Sequence, residues 1–144
     1  MAYVHEHGIK HRDLKPSNLM ITSGGEVKVL DLGLARVVGE QLAADELTTV
    51  GQLMGTLDYM APEQLEDSHQ VDERSDIFGL GATLYKMLTG QTPHSTASPE
   101  PLISKLRRIA SEPSPLIASR RAELPVALCD WIDRMLAPAA ANRR

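Results

Sequence analysis

Between Ser75 and Leu88 apolar residues recur at helical spacing, with Ile77, Leu80, Gly81, Leu84, Tyr85, Met87 and Leu88 leaving almost no polar face, and Gly90 supplies a stop. A helix that is apolar nearly all the way round belongs at the centre of a domain, so the other elements of the 144-residue chain are expected to wrap it as one lobe. Two short apolar runs, Leu19-Met20-Ile21 and Val27-Lys28-Val29-Leu30, flank Thr22-Ser23-Gly24-Gly25-Glu26 and read as a β-hairpin. Downstream, a Thr/Ser/Pro-rich connector over 91–98 precedes a helix near Glu100–Ala110, and a proline-bearing loop follows at 111–119. A last helix spans about Pro125–Leu136, with Leu128, Trp131, Ile132, Met135 and Leu136 on its buried side and Cys129 also assigned to the core. From Arg36 to Gln52 periodicity is lost, which predicts a long loop, and loops of that length are usually functional or disordered. The fold class is therefore mainly α with a small β-hairpin.

Charge and composition narrow the function. Fifteen Lys and Arg against nineteen Asp and Glu give a net charge of −4, without the basic stripe that nucleic-acid binding requires. The single Cys129 excludes an internal disulfide and any multi-cysteine zinc site. No apolar run reaches the ~18 residues of a membrane-spanning helix, and Met1 opens no signal peptide, so the expectation is a cytoplasmic protein with no membrane segment within this chain.

The chemistry gathers at the hairpin. His11-Arg12-Asp13-Leu14-Lys15-Pro16-Ser17-Asn18 stands just before it and Asp31-Leu32-Gly33 just after. A tight hairpin returns its ends to one place, so Asp13, Asn18 and Asp31 should converge. One carboxylate free of metal, beside an amide and a second carboxylate with oxygen ligands, suits magnesium-assisted phosphoryl transfer. The free carboxylate can take the proton of a substrate hydroxyl, and Lys15 sets a positive charge where a transferring phosphoryl gathers negative charge.

These residues resemble the catalytic loop and metal-binding motif of eukaryotic-like serine/threonine protein kinases of the bacterial type. Further matches follow in the family's order. Gly55-Thr56-Leu57-Asp58-Tyr59-Met60-Ala61-Pro62-Glu63 is similar to the substrate-docking loop and its closing Ala-Pro-Glu. Asp72-Glu73-Arg74-Ser75-Asp76-Ile77-Phe78-Gly79 resembles the start of the family's central helix, and Leu136-Ala137 to Asn142-Arg143 its last motif. Lys15 and Gly55-Thr56 separate the chain from tyrosine kinases.

The resemblance implies a role for each matching position. Asp13 is the catalytic base, Lys15 the γ-phosphate contact, and Thr56 bridges towards both as a structural hydroxyl. Asn18 and Asp31 hold Mg²⁺, and Met20 lies beneath the adenine of ATP. Asp76 accepts hydrogen bonds from the backbone near His11 and Arg12, with His11 as a packing residue. Glu63 pairs with Arg143, tying the activation segment, residues 31–63, to the last helix. Arg12 before Asp13 marks kinases whose activation segment is often ordered by phosphorylation, and Thr48 and Thr49 read equally as phosphorylation sites or as ordinary loop threonines. His5, His7 and His11 form no metal-ligand pattern with Glu6 and Gly8, while Arg107-Arg108 and Arg120-Arg121 read as solvated faces.

Two departures qualify the resemblance. Leu32 stands where the family usually has Phe, a conservative change in packing. Nothing in the chain matches the glycine-rich phosphate loop, the Val-Ala-x-Lys strand or the helix-C glutamate of the N-terminal lobe. Residues 1–144 are thus expected to be a partial kinase domain, running from the catalytic loop to the last motif, with the N-terminal lobe missing as in a truncated or mis-started product. The implied activity is ATP-dependent phosphoryl transfer to Ser/Thr hydroxyls of a protein substrate, with ATP and Mg²⁺ as cofactors. The isolated chain should be inactive, and the alternative is a non-catalytic kinase remnant acting as a binding module.

Overall fold

The computed structural model describes residues 2–30, 54–66 and 71–143. The expected loop at 36–52 with Thr48 and Thr49, and likewise Asp31 and Leu32, lie outside the described residues. A short helix α1 (Ala2–Glu6) leads to the segment carrying Asp13. A 3₁₀ turn at Pro16–Asn18 then feeds β1 (Leu19–Ile21), which pairs antiparallel with β2 (Val27–Val29). Leu19 faces Val29 and Ile21 faces Val27, the register expected of a hairpin closed over 22–26. Thr22 closes it twice, donating its N–H to the Glu26 carbonyl (2.9 Å) and accepting the Glu26 N–H on Oγ1 (3.1 Å).

The remaining described elements are helical: one helical turn at 54–57, α2 (Pro62–Glu66), α3 (Arg74–Thr89), α4 (Leu102–Ser111) and α5 (Val126–Met135), with 3₁₀ turns at Ile117–Ser119 and Ala140–Asn142. Prolines set the starts. α4 begins two residues later than the periodicity suggests because Pro101 disfavours helical backbone at Glu100, and α5 begins just after Pro125. Gly90 ends α3 in the left-handed region (φ 76°), its N–H donating to the Lys86 carbonyl at 2.9 Å.

α3 is the axis of the lobe, as expected, but its burial is distributed differently. Ser75, Asp76, Phe78, Gly79, Gly81, Ala82, Thr83 and Tyr85 are the buried positions, whereas Ile77, Leu80, Leu84 and Leu88 are half-buried and Met87 is exposed. Phe78 and Tyr85 fill the core, while glycines at 79 and 81 let neighbouring segments come close: side chains of Met135 and Leu136 at Gly81, and backbone at Gly79. A Cβ added at Gly79 would meet the Leu14 Cβ and carbonyl oxygen at 3.1 Å, so this glycine lets the loop bearing Asp13 rest directly on the helix.

The main core joins Ala61, Phe78, Ala82, Tyr85, Ile117, Cys129, Ile132 and Leu136. A second cluster sets Leu57 against Ile109 of α4, with Leu102 and Leu106 alongside. Trp131 is a correction: it is 57% exposed, not in the core, and Leu128 is also exposed. Cys129, Ile132 and Leu136 form the i, i+3, i+7 stripe that meets α3, which turns Leu128 and Trp131 to its flank. There the Arg134 guanidinium lies 5.5 Å from the Trp131 ring centre. The arginine pairs are corrected in part. Arg107 and Arg120 are exposed, but Arg108 pairs with Glu100, and Arg121 pairs with Glu123 while donating to the Leu88 carbonyl at 2.5 Å.

Candidate active site

The loop from His11 to Asn18 is fixed from below by α3. Asp76, buried in its first turn, accepts the Arg12 N–H on Oδ1 (2.6 Å) and the His11 N–H on Oδ2 (2.8 Å). His5 Nε2 reaches the same Oδ2 at 2.8 Å, a contact with no signal in the motif spacing. Arg12 sits at φ 63°, a left-handed conformation costly for a residue with a Cβ. The two bonds to Asp76 hold the backbone there. Gln64 adds a second restraint, donating from Nε2 to the Arg12 carbonyl (3.0 Å) while its Oε1 accepts the Ala61 N–H (2.9 Å).

His11 is fully buried and spans two directions. Its Nε2 lies 2.7 Å from the Leu30 carbonyl, and its Nδ1 accepts the Asp13 N–H at 3.3 Å. One arrangement meets both, with the proton on Nε2 and the lone pair on Nδ1. Leu30 also donates its N–H to the Asn18 carbonyl (2.9 Å), so the end of the hairpin is tied to both His11 and Asn18.

The chemical groups meet above this frame. Asp13 Oδ2 lies 3.0 Å from Lys15 Nζ and accepts from Asn18 Nδ2 at 3.1 Å. Asn18 Nδ2 also donates to the Asp13 carbonyl (2.8 Å), and Lys15 Nζ donates to Thr56 Oγ1 (3.0 Å). Asp13 Oδ1 is buried without a hydrogen-bond partner among the described residues, an unmet acceptor in an otherwise bonded cluster. Because the Asn18 amide nitrogen is committed to Asp13, Oδ1 is the atom it has left to offer, the hard oxygen donor that Mg²⁺ takes. The structure thus brings together Asp13, Lys15, Asn18 and Thr56, while Asp31, the other expected metal ligand, lies outside the described residues. Met20 stands on β1 with its side chain 45% exposed.

Away from this cluster, Arg143 donates to Glu63 Oε1 (2.5 Å) and Oε2 (2.9 Å) as expected. Arg143 does so from just beyond the Ala140–Asn142 turn, which follows the last helix. The sequence reading missed Lys105 and His94. Lys105 is buried on α4 and ion-paired to Asp58 Oδ1 at 2.8 Å. A signal for it exists: in Leu102, Lys105, Leu106 and Ile109, a lysine holds the i+3 position of an apolar stripe. Buried His94 has its pKa lowered to about 4, by burial first and then by the Arg108 charge.

The protein kinase domain family matches residues 1–144. The chain belongs to that family. Its relatives include the serine/threonine-protein kinase PknB of Mycolicibacterium smegmatis, 41% identical over 99 residues, which covers 69% of this chain and 15% of that protein. The serine/threonine-protein kinase PknL of Mycobacterium tuberculosis is 43% identical over 93 residues, covering 65% of this chain and 22% of that protein. The resemblance to bacterial serine/threonine kinases is borne out by these relatives, and the fold is that of a kinase domain. In both pairings the matched stretch is less than a quarter of the relative's length. Among the described residues, no helix is long and apolar enough to cross a membrane.

Proposed function

We propose that these 144 residues are the C-terminal lobe of a serine/threonine protein kinase domain, with the activation segment at 31–63, and that together with an N-terminal lobe they transfer the γ-phosphoryl of ATP to a protein hydroxyl. The observation that carries this reading is the continuous set of contacts from Asn18 through Asp13 and Lys15 to Thr56. Lys15 and Asn18 both reach the Asp13 carboxylate, and Thr56, from a distant stretch of sequence, holds Lys15. A merely solvated loop aspartate would have no need of them.

In this reading Asp13 orients the substrate hydroxyl and takes its proton as the new O–P bond forms and the bond from the γ-phosphorus to the bridging oxygen breaks, leaving ADP. Lys15, held between Asp13 and Thr56, offsets the negative charge that gathers on the transferring group. Thr56 fixes the Lys15 ammonium at one end. Asn18, through Oδ1, and Asp31 would hold Mg²⁺, which when bound supplies charge neutralisation at the phosphate oxygens. Met20 forms part of the floor under the adenine. Thr48 or Thr49 would carry the activating phosphate, with Arg12 as its partner.

The test joins this chain to an N-terminal kinase lobe and supplies ATP labelled at the γ-phosphate. Label on serine or threonine of a protein substrate is the expected result. A folded two-lobed protein that binds Mg·ATP and labels nothing would leave the chain a non-catalytic binding module.

A further inference from the structure

Lysine is almost never fully buried unless it is paired, because its ammonium loses hydration that only full bonding restores. Lys105 is 8% exposed and lies at the middle of the buried face of α4, between Leu102 and Ile109. Its Nζ donates to the Met54 carbonyl at 2.7 Å and makes an ion contact, without hydrogen-bond alignment, to Asp58 Oδ1 at 2.8 Å. Met54 and Asp58 are the two ends of one short turn, and Thr56 is its midpoint. Leu57 of the same turn is buried against Ile109, with Met54, Leu102 and Leu106 alongside, so α4 holds the turn by an apolar cluster and one cation. Thr56 meanwhile meets Lys15 from the turn.

We propose that Lys105 is a positioning residue for phosphoryl transfer: by clamping both ends of the 54–58 turn to α4, it keeps Thr56 Oγ1 in register with Lys15 and Asp13. The inference rests on the reading of Asp13, Lys15 and Thr56 given above. Without the ammonium, the Asp58 carboxylate and the Met54 carbonyl lose their partner, and the turn must move towards water to hydrate them. The Lys15–Thr56 bond has little room for such a move. At 3.0 Å it is near the usual length, and a further half ångström removes it. His94, lining the same cleft as Asp58 and Lys105, is held uncharged at neutral pH by burial and by the Arg108 and Lys105 charges, so it does not compete for Asp58.

The first arm of the test needs only the purified chain. Lys105→Met keeps the length and apolar stem and removes the charge. It should speed amide hydrogen exchange at Tyr59 and Met60, whose N–H groups close the turn onto Thr56 and Leu57, by about tenfold. Asp58→Asn should act in the same direction, Lys105→Arg should restore slow exchange, and Arg107→Met, exposed on the same helix, should change nothing. Should Lys105→Met lose its helical circular dichroism, the Asp58→Asn and Lys105→Arg pair carries the comparison. Unchanged exchange in folded Lys105→Met or Asp58→Asn overturns the clamp.

The second arm measures phosphate transfer in the chain joined to an N-terminal lobe. Lys105→Met should lower kcat roughly tenfold, as a small misplacement of reacting groups does, with KM for ATP unchanged and Lys105→Arg recovering most of the loss. Faster exchange with an unaltered kcat would leave Lys105 a structural contact and overturn its positioning role. A wild-type two-lobed domain that transfers nothing overturns the reading of the site, and the role of Lys105 falls with it.

Discussion

Arg143 grips Glu63 with both terminal guanidinium nitrogens across 80 positions of sequence, and the same side chain donates to the carbonyls of Ala137 (2.7 Å) and Pro138 (2.6 Å). It is 1% exposed and lies 4.9 Å from the centre of the Phe78 ring, so the arginine joins α2, α3 and the C-terminal turn at one point. Removing Glu63 leaves this charge buried with carbonyl partners only. Breaking buried pairs typically costs about 3–5 kcal/mol, and the surviving carbonyl bonds set the expected loss for Glu63→Ala near the lower figure. Arg143→Lys should fail to rescue, since an ammonium cannot reproduce the two-pronged contact. Urea unfolding of the three proteins decides this, and a change under ~1 kcal/mol would mean the pair behaves as a surface contact.

Asp76 sets up a second expectation. Its two oxygens satisfy the N–H groups of His11 and Arg12, and neither N–H has another acceptor among the described residues. Each buried N–H left unmet costs about 1–3 kcal/mol, so Asp76→Ala should lower stability by roughly 2–6 kcal/mol. Asp76→Asn should be intermediate, because its amide oxygen serves one N–H and its amide nitrogen faces the other. Thermal unfolding gives the order. The residue at stake beyond stability is Arg12, whose φ of 63° relaxes when its N–H is released.

The parts of this site that could be read in the sequence are those fixed by short-range pattern. The hairpin over 19–29 and the stop at Gly90 follow from turn chemistry, which acts within a few residues. Asp13, Lys15, Asn18 and Thr56 were legible as a group because the motifs around them resemble a known family. Lys105 and Gln64 were not, since their meaning lies in which backbone they reach, and no local pattern records a carbonyl 51 or 52 positions away. Trp131 failed for a different reason. Periodicity gives a stripe, but a helix with apolar residues at 128, 129, 131, 132, 135 and 136 offers two adjacent stripes, and only the packing against α3 chooses between them.

His94 makes stability depend on pH. Its pKa is lowered from 6.5 to about 4 in the folded chain, so the unfolded chain binds the proton more tightly. The contribution is therefore intact above pH 6.5 and is lost as pH falls from there towards 4. At ~1.4 kcal/mol for each pH unit, the loss is on the order of 3 kcal/mol. His94→Phe should remove that component. The measurement is the difference between the two proteins' unfolding free energies at pH 7 and at pH 4, and parallel curves would show that His94 does not carry the dependence.

Asp13 and Asp31 should separate kinetically in a two-lobed protein. Asp13→Asn loses a proton acceptor but no phosphate contact, so kcat should fall by roughly 10²–10⁴ with the affinity for Mg·ATP nearly unchanged. Asp31→Asn, at a proposed metal ligand, should weaken Mg·ATP binding as well. Near-normal turnover in Asp13→Asn would remove it from the role of base.

By itself, the 144-residue chain is expected to transfer no phosphate. Its sequence holds no glycine-rich loop and no Val-Ala-x-Lys strand, the parts that in this family grip the phosphates from above. On the proposed reading it offers one face: Met20 would serve the adenine, Asn18 and Asp31 the metal, and Asp13 and Lys15 the transfer. Two oxygen ligands bind Mg²⁺ weakly, because the ion keeps its waters and draws on phosphate oxygens for the rest. Without a held phosphate chain, much of the ~7–11 kcal/mol that orientation can supply is lost, enough to put turnover below detection. The hairpin also exposes apolar surface, with Ile21 and Val27, partners across the two strands, both open to water. Such a patch favours association, so the chain's sedimentation should depend on concentration, and substituting Ile21 and Val27 by threonine should reduce that dependence. Calorimetric titration with Mg·ATP beside a labelled transfer assay gives the deciding values. Micromolar affinity or stoichiometric labelling by the purified chain would mean that the site is complete within these residues.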